Sequence, residues 1–94
     1  MRAEIADVQG FVPEFRLTNA KLEKMVDTND EWIRSRTGIA ERRILNTPGK
    51  ATSDLAVPAI EALFKNNELT PDDVDIVICA TVTPDMVFPA TANI

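Results

Sequence analysis

Val74-Asp75-Ile76-Val77-Ile78-Cys79-Ala80-Thr81-Val82 carries the decision about fold class. Its centre, Ile76 to Ala80, is an unbroken apolar run rich in β-branched residues, the pattern of a strand whose sheet is covered on both faces. It predicts a central strand, and the helical segments on either side of it make the chain α/β. Upstream, Ser53 is placed to cap a longer helix in which Leu55, Ala56, Ala59, Ile60, Leu63 and Phe64 recur at helical period. Pro58 lies inside that helix, and the backbone donor it lacks predicts a kink or a ragged first turn. Thr70-Pro71-Asp72-Asp73 reads as a single helical turn, with proline at its first position and two acids against the dipole. Downstream, Phe88-Pro89-Ala90-Thr91-Ala92-Asn93-Ile94 reads as a helix just beginning. A helix cut in its first turns, after a central strand with no visible partners, is what a piece of a larger α/β protein looks like.

The first half of the chain has shorter elements. Ala3 to Val12, with Ile5, Val8 and Phe11 apolar, predicts a first strand that runs into a turn at Gly10-Phe11-Val12-Pro13. Thr18 is placed to cap a short helix with Leu22, Met25 and Val26 on one face. A second helix starts at a capping box, Thr28 with Glu31 three residues on, and Gly38 supplies the left-handed residue that ends it. Glu41 to Asn46 predicts a short extended segment, followed by a turn at Thr47-Pro48-Gly49-Lys50.

Ninety-four residues with 45% hydrophobic and 27% charged content are an ordinary globular composition with room for only a thin core. The net charge of −5 argues against general nucleic-acid binding, which needs a basic face, so any phosphate contact must be local. No apolar run approaches the ~20 residues that span a bilayer, and the charged start Met1-Arg2-Ala3-Glu4 is unlike a secretory signal. The single cysteine cannot form an intrachain disulfide, and the expected location is cytoplasmic. No metal site is expected. Because the chain holds no histidine, the chemistry it serves is not expected to be completed within it.

The chain's only tryptophan and a cluster of arginines fall between residues 28 and 43. Residues four apart on a helix are offset by about 40°, so Thr28, Trp32 and Arg36 form one stripe of hydroxyl, indole and guanidinium. Ile33 faces elsewhere, which leaves at least part of Trp32 open to solvent. An accessible indole beside an arginine suits a planar base bearing a phosphate, and Arg34, Arg42 and Arg43 add local positive potential. Spacing alone favours a blander arrangement, with Trp32 capping a small core and Arg42 and Arg43 paired with Glu31, Glu41 or another acid.

With these segments in place, the chain resembles the amino-terminal part of β-ketoacyl-ACP synthase III, the thiolase-fold condensing enzyme that starts bacterial fatty acid synthesis. The resemblance rests on Gly10-Phe11-Val12-Pro13, Thr18-Asn19, Met25-Val26-Asp27-Thr28-Asn29-Asp30-Glu31-Trp32-Ile33, Arg36-Thr37-Gly38-Ile39, Glu41-Arg42-Arg43, Ser53-Asp54-Leu55, and Ala80-Thr81 leading to Phe88-Pro89-Ala90-Thr91-Ala92. It implies that residues 1–94 are the first part of a thiolase-like domain, truncated before the nucleophile motif. It also implies that Trp32 stacks on the adenine of coenzyme A, Arg36 contacts its phosphates, and Thr28 hydrogen-bonds at the same mouth. Phe88 is implied at a dimer interface that reaches toward the neighbour's acyl pocket, or in ordinary interface packing.

The resemblance further implies acyl-CoA as substrate with no permanently bound cofactor, malonyl-ACP as second substrate, and a homodimer for the full-length protein. The family's cysteine, histidine and asparagine cannot be assigned to any residue of this chain. Cys79 lies inside the expected central strand, without a helix terminus or base beside it, and reads as a buried, inert thiol. Asp7 departs from the family pattern, and a carboxylate in a strand is costly there unless paired. Two other readings stand beside this one. The chain could be a stand-alone, non-enzymatic module that binds coenzyme A or another nucleotide, or part of a related ketide synthase or acyltransferase.

Overall fold

A computed structural model describes residues Met1–Ile94. They divide into two units, one spanning Val12–Asn46 and the other combining Met1–Phe11 with Thr47–Ile94.

In the unit Val12–Asn46, strand β1 (Arg16–Thr18) runs straight into helix α1 (Asn19–Leu22), followed by helix α2 (Asp30–Thr37) and strand β2 (Glu41–Arg43). The two strands pair antiparallel, with Arg16 opposite Arg43, Leu17 opposite Arg42 and Thr18 opposite Glu41. One further bond prolongs the ladder, from the Ile44 N–H to the Phe15 carbonyl at 3.1 Å. The extended segment expected from Glu41 is therefore a strand, and β1 is its unforeseen partner.

Thr18 caps α1 as expected, its hydroxyl accepting from the Lys21 N–H at 3.3 Å. The helix stops at Leu22, sooner than the Leu22, Met25 and Val26 pattern suggested, so Met25 and Val26 follow it in turn and bend with more than half of their surface exposed.

The other unit is built on α3 (Thr52–Asn67). Its start lies one residue before the expected cap. Ala51 occupies the cap position, and the Asp54 carboxylate reaches back to accept from the Ala51 N–H at 2.8 Å. Ser53 falls inside the first turn, where Asp85 serves it from outside the helix. Its Oδ1 accepts from the Ser53 N–H at 2.8 Å and its Oδ2 from the Ser53 hydroxyl at 2.5 Å. An acceptor carboxylate at a helix amino terminus satisfies free N–H groups and opposes the dipole. Pro58 does not break the helix, which continues to Asn67. Proline at the seventh helical residue removes one bond, from its own nitrogen to the Asp54 carbonyl, and the remaining turns hold the element together. Thr47-Pro48-Gly49-Lys50 forms the expected turn, closed by the Lys50 N–H on the Thr47 carbonyl at 3.3 Å, and Pro71–Asp73 forms the expected single turn, as a 3-10 helix.

Both expected long strands are absent. Residues 1–13 and 74–82 carry no sheet pairing, and Ile76, Val77 and Ile78 are 77%, 59% and 87% exposed. A strand is defined by its neighbours, and the only sheet formed within these residues is the β1–β2 pair. Cys79 is exposed for the same reason, contrary to its expected burial. Asp7, free of a strand, accepts from Asn67 Nδ2 at 2.6 Å, from the Val8 N–H at 2.8 Å and from Gln9 Nε2 at 3.2 Å. These bonds, Asn67 first, hold its carboxyl below the ordinary value. The expected helix from Phe88 is reduced to a 3-10 turn at Thr91–Asn93, and Phe88 is 85% exposed. No helix is long and apolar enough to cross a membrane.

Candidate functional site

Helix α2 and its flanks build the site. Its amino terminus is satisfied twice, by Asn29 Oδ1 accepting from the Trp32 N–H at 2.8 Å and by the Glu23 carboxylate accepting from the Asp30 N–H at 2.7 Å. The cap is therefore Asn29 and not Thr28. Thr28 and Asn29 are adjacent and equally suited by type, and the extended backbone at Asn29 (φ −148°, ψ 163°) decides between them. At the far end Gly38 adopts φ 73°, and its N–H closes on the Arg34 carbonyl at 2.8 Å. That conformation is open to glycine and strained for residues with a Cβ.

Within the helix Ile33 is the only apolar residue that is buried, at 7% exposure, and Trp32 beside it keeps 54% of its surface. Consecutive residues diverge by about 100° around the axis, so burial of one presents the other. The Arg36 guanidinium carbon stands 5.5 Å from the centroid of the indole, within the range of a cation–π contact. Arg34 turns away, its Nε donating to Asp30 at 2.8 Å. Among the ion pairs, Arg16–Glu41, Arg34–Asp30 and Lys50–Asp54, none involves Arg36. Arg36 is therefore the α2 cation left available for an external anion.

Thr28 precedes the helix and is not on its stripe, but it is half-buried and lines a recess of about 180 Å³ with Asp27, Asn29 and Trp32. Trp32 thus has Arg36 near its ring and a small polar recess at its side. Of the three sequence-predicted residues, Trp32 and Arg36 meet directly, and Thr28 meets Trp32 alone, through the recess rather than through helical register.

Arg42 and Arg43 do not pair with acids as expected. Arg42 donates through Nη1 to the Leu17 carbonyl at 3.2 Å and through Nη2 to Asn19 Oδ1 at 2.7 Å, while Arg43 Nη1 donates to the Pro13 carbonyl at 2.9 Å. Their guanidiniums brace loop and strand carbonyls and are not directed at a ligand. Asn19 is the residue that sequence reading passed over. At 2% exposure it is the most deeply buried side chain, and its Nδ2 donates to Asp30 Oδ1 at 2.7 Å and to the Ile39 carbonyl at 2.8 Å. The Asn19 amide, and next the Arg34 guanidinium, hold the Asp30 carboxyl below its ordinary value. The sole signal in sequence was an amide directly after a helix cap, at Thr18-Asn19. No cluster of three or more histidine, cysteine or acidic side chains is arranged to hold a metal ion.

No protein-family model matches the chain. It is 51% identical over 94 residues to β-ketoacyl-[acyl-carrier-protein] synthase III 2 of Bacteroides thetaiotaomicron, covering 100% of this chain and 28% of that protein. To β-ketoacyl-[acyl-carrier-protein] synthase III of Caldanaerobacter subterraneus it is 55% identical over 92 residues, covering 98% of this chain and 28% of the relative. The crystal structure of β-ketoacyl-[acyl-carrier-protein] synthase III from Thermus thermophilus superposes with a TM-score of 0.84 at 46% identity, over 97% of this chain and 28% of that one. The 3-oxoacyl-[acyl-carrier-protein] synthase III of Aquifex aeolicus gives 0.78 at 42% identity, over 89% and 27%. The chain therefore spans little more than a quarter of the length of the relatives it matches.

Proposed function

The chain belongs to the β-ketoacyl-[acyl-carrier-protein] synthase III family by sequence and by its thiolase-like fold, and from that premise we propose that it forms the coenzyme A entrance of a fatty-acid condensing enzyme. The reaction is the decarboxylative condensation of a short acyl-CoA with malonyl-ACP. In this reading the acyl group is carried as a cysteine thioester in the part of the enzyme beyond these residues, since Cys79 lies in an unpaired segment and the chain holds no histidine to serve as base. Trp32 takes the adenine face. Arg36 takes a phosphate, and the acceptors of Asp27, Thr28 and Asn29 suit the amino and hydroxyl groups of the base and ribose.

The observation that carries this reading is Trp32, 54% exposed, with an unpaired guanidinium 5.5 Å from its ring. A buried indole, or an arginine consumed by a carboxylate, would leave nothing for a nucleotide to dock against. The unpaired, exposed run Ile76–Ile78 favours membership in a larger sheet over a self-sufficient binding module.

Titration of coenzyme A against the fluorescence of Trp32, the only tryptophan in the chain, tests the proposal. We expect saturable quenching, weakened about tenfold by Arg36→Ala through loss of a charge-assisted phosphate contact. Trp32→Ala, followed by calorimetry, should lose a comparable amount, as stacking of a base on an aromatic ring contributes about 1–3 kcal/mol. Equal affinity in wild type and both variants would remove the site from this face.

A further inference from the structure

We propose that Asn19 is a positioning residue for the coenzyme A entrance, its buried amide gripping both ends of α2 and so fixing the direction in which Trp32 and Arg36 are presented. The inference rests on the coenzyme A reading of those two residues, which Asn19 itself does not touch.

An eight-residue helix is about 12 Å long and is not stable in isolation. Its one buried apolar side chain, Ile33, is a single anchor, and a single anchor resists withdrawal better than it resists rotation about the helix axis. Rotation is the movement that matters here, because it swings Trp32 and Arg36 together along the surface. Both hydrogens of the Asn19 amide oppose it. One goes to the Asp30 carboxylate at the first helical residue, at 2.7 Å, and the other to the carbonyl of Ile39, just past the Gly38 cap, at 2.8 Å.

The amide oxygen is held in turn. Arg42 Nη2 donates to it at 2.7 Å while Nη1 of the same guanidinium holds the Leu17 carbonyl, and the Asn19 N–H donates to the Ala40 carbonyl at 3.1 Å. The planar amide is thus clamped to the β1–β2 pair on one side and to α2 on the other. Its donors and acceptor are all used, as a polar group at 2% exposure requires. An aliphatic residue fits such a position without any polar group to satisfy. An amide there gains directionality, which is what orienting a helix needs.

Asn19→Ala, Asn19→Asp and the pair Asn19→Asp with Asp30→Asn separate orientation from bulk stability. The single Asp sets two carboxylates against each other and turns an acceptor toward the Ile39 carbonyl, while the pair restores only the bond at the Asp30 end, with donor and acceptor exchanged. Two readouts on the full chain are needed: coenzyme A affinity, and acrylamide quenching of Trp32 without ligand. We expect Asn19→Ala to weaken coenzyme A by about tenfold and to alter quenching, Asn19→Asp to do more, and the pair to recover part of the Asn19→Asp loss without reaching wild type, because the Ile39 end stays unheld. Unchanged affinity and quenching in Asn19→Ala would overturn the proposal, as would a pair no better than Asn19→Asp alone. Should quenching follow the expected order while no variant, wild type included, binds coenzyme A, the nucleotide reading fails and the positioning role stands.

Discussion

The unit Val12–Asn46 and the stretch Val74–Val82 stand at opposite ends of a scale of self-sufficiency. The first closes on itself within a few dozen residues. Its strands pair with each other, its helix is capped at both ends, and it holds Ile33 and Asn19, the two buried side chains of the chain. The second has the stronger local preference for its structure and yet forms none, leaving Ile78 87% exposed. Propensity alone does not make an element. Helix α2 obtains its hydrogen bonds from residues within or next to it, whereas a strand obtains them from another segment, and without one the β-branched run stays unpaired and exposed.

Truncation of Ile33 and of Ile78 is the sharpest way to test that contrast. Ile33→Ala should cost about 2 kcal/mol, the lower end for a buried isoleucine in a thin core, while Ile78→Ala should stay within about 0.5 kcal/mol. Urea unfolding followed by Trp32 emission measures the first, and far-UV circular dichroism the second. If Ile78→Ala proved as costly as Ile33→Ala, the stretch would be packed and the contrast would be void.

The helix caps sharpen it further. Gly38 and Glu68 both end helices with positive φ, at 73° and 54°, one in each unit. Gly38→Val forces a β-branched residue into that conformation and should cost about 1–2 kcal/mol, seen as loss of helix signal and of Trp32 protection. Glu68→Gly should move stability the other way by up to about 1 kcal/mol, since it relieves the same strain at the end of α3. A loss on Glu68→Gly would mean that its side chain contributes something the backbone does not reveal.

The smallest effects are electrostatic. Each unit carries one carboxylate held below its ordinary value, Asp30 by Asn19 and then Arg34, and Asp7 by Asn67, Gln9 and Val8. A depressed folded-state pKa means that the stabilisation is fully present above the unfolded value and lost as pH falls through the folded one. Both should therefore titrate in an acid window below pH 4 and leave neutral pH untouched. Carboxyl resonances followed by NMR would check this. Asn19→Ala should move Asp30 up and leave Asp7 where it is.

What the sequence discloses follows the range of the interactions. Gly38 as terminator, Thr18 as cap, the exposure of Trp32 and its contact with Arg36 were all readable, because each depends on residues within about four positions. The choice of Asn29 over Thr28 was not, as two neighbouring cap-forming residues differ only in how the chain enters the helix. Nor was Asn19, whose partners Asp30, Ile39 and Arg42 lie 11, 20 and 23 positions away. Arg42 and Arg43 were misread as partners of acids because composition reveals charge and not the free carbonyls of a loop. The α/β character was readable at 74–82 as a demand for partners, which no other segment of these residues meets.

Arg36 lacks a counterion of its own in a chain whose net charge is −5. A polyanion drifting toward it is repelled at long range and attracted only over the last few ångströms. With a screening length near 10 Å at about 0.1 M salt, moderate ionic strength quiets the distant repulsion more than the close attraction. Salt should therefore hasten encounter even as it loosens the grip, so the hold of Arg36 on an anion is governed less by steering than by what happens on arrival.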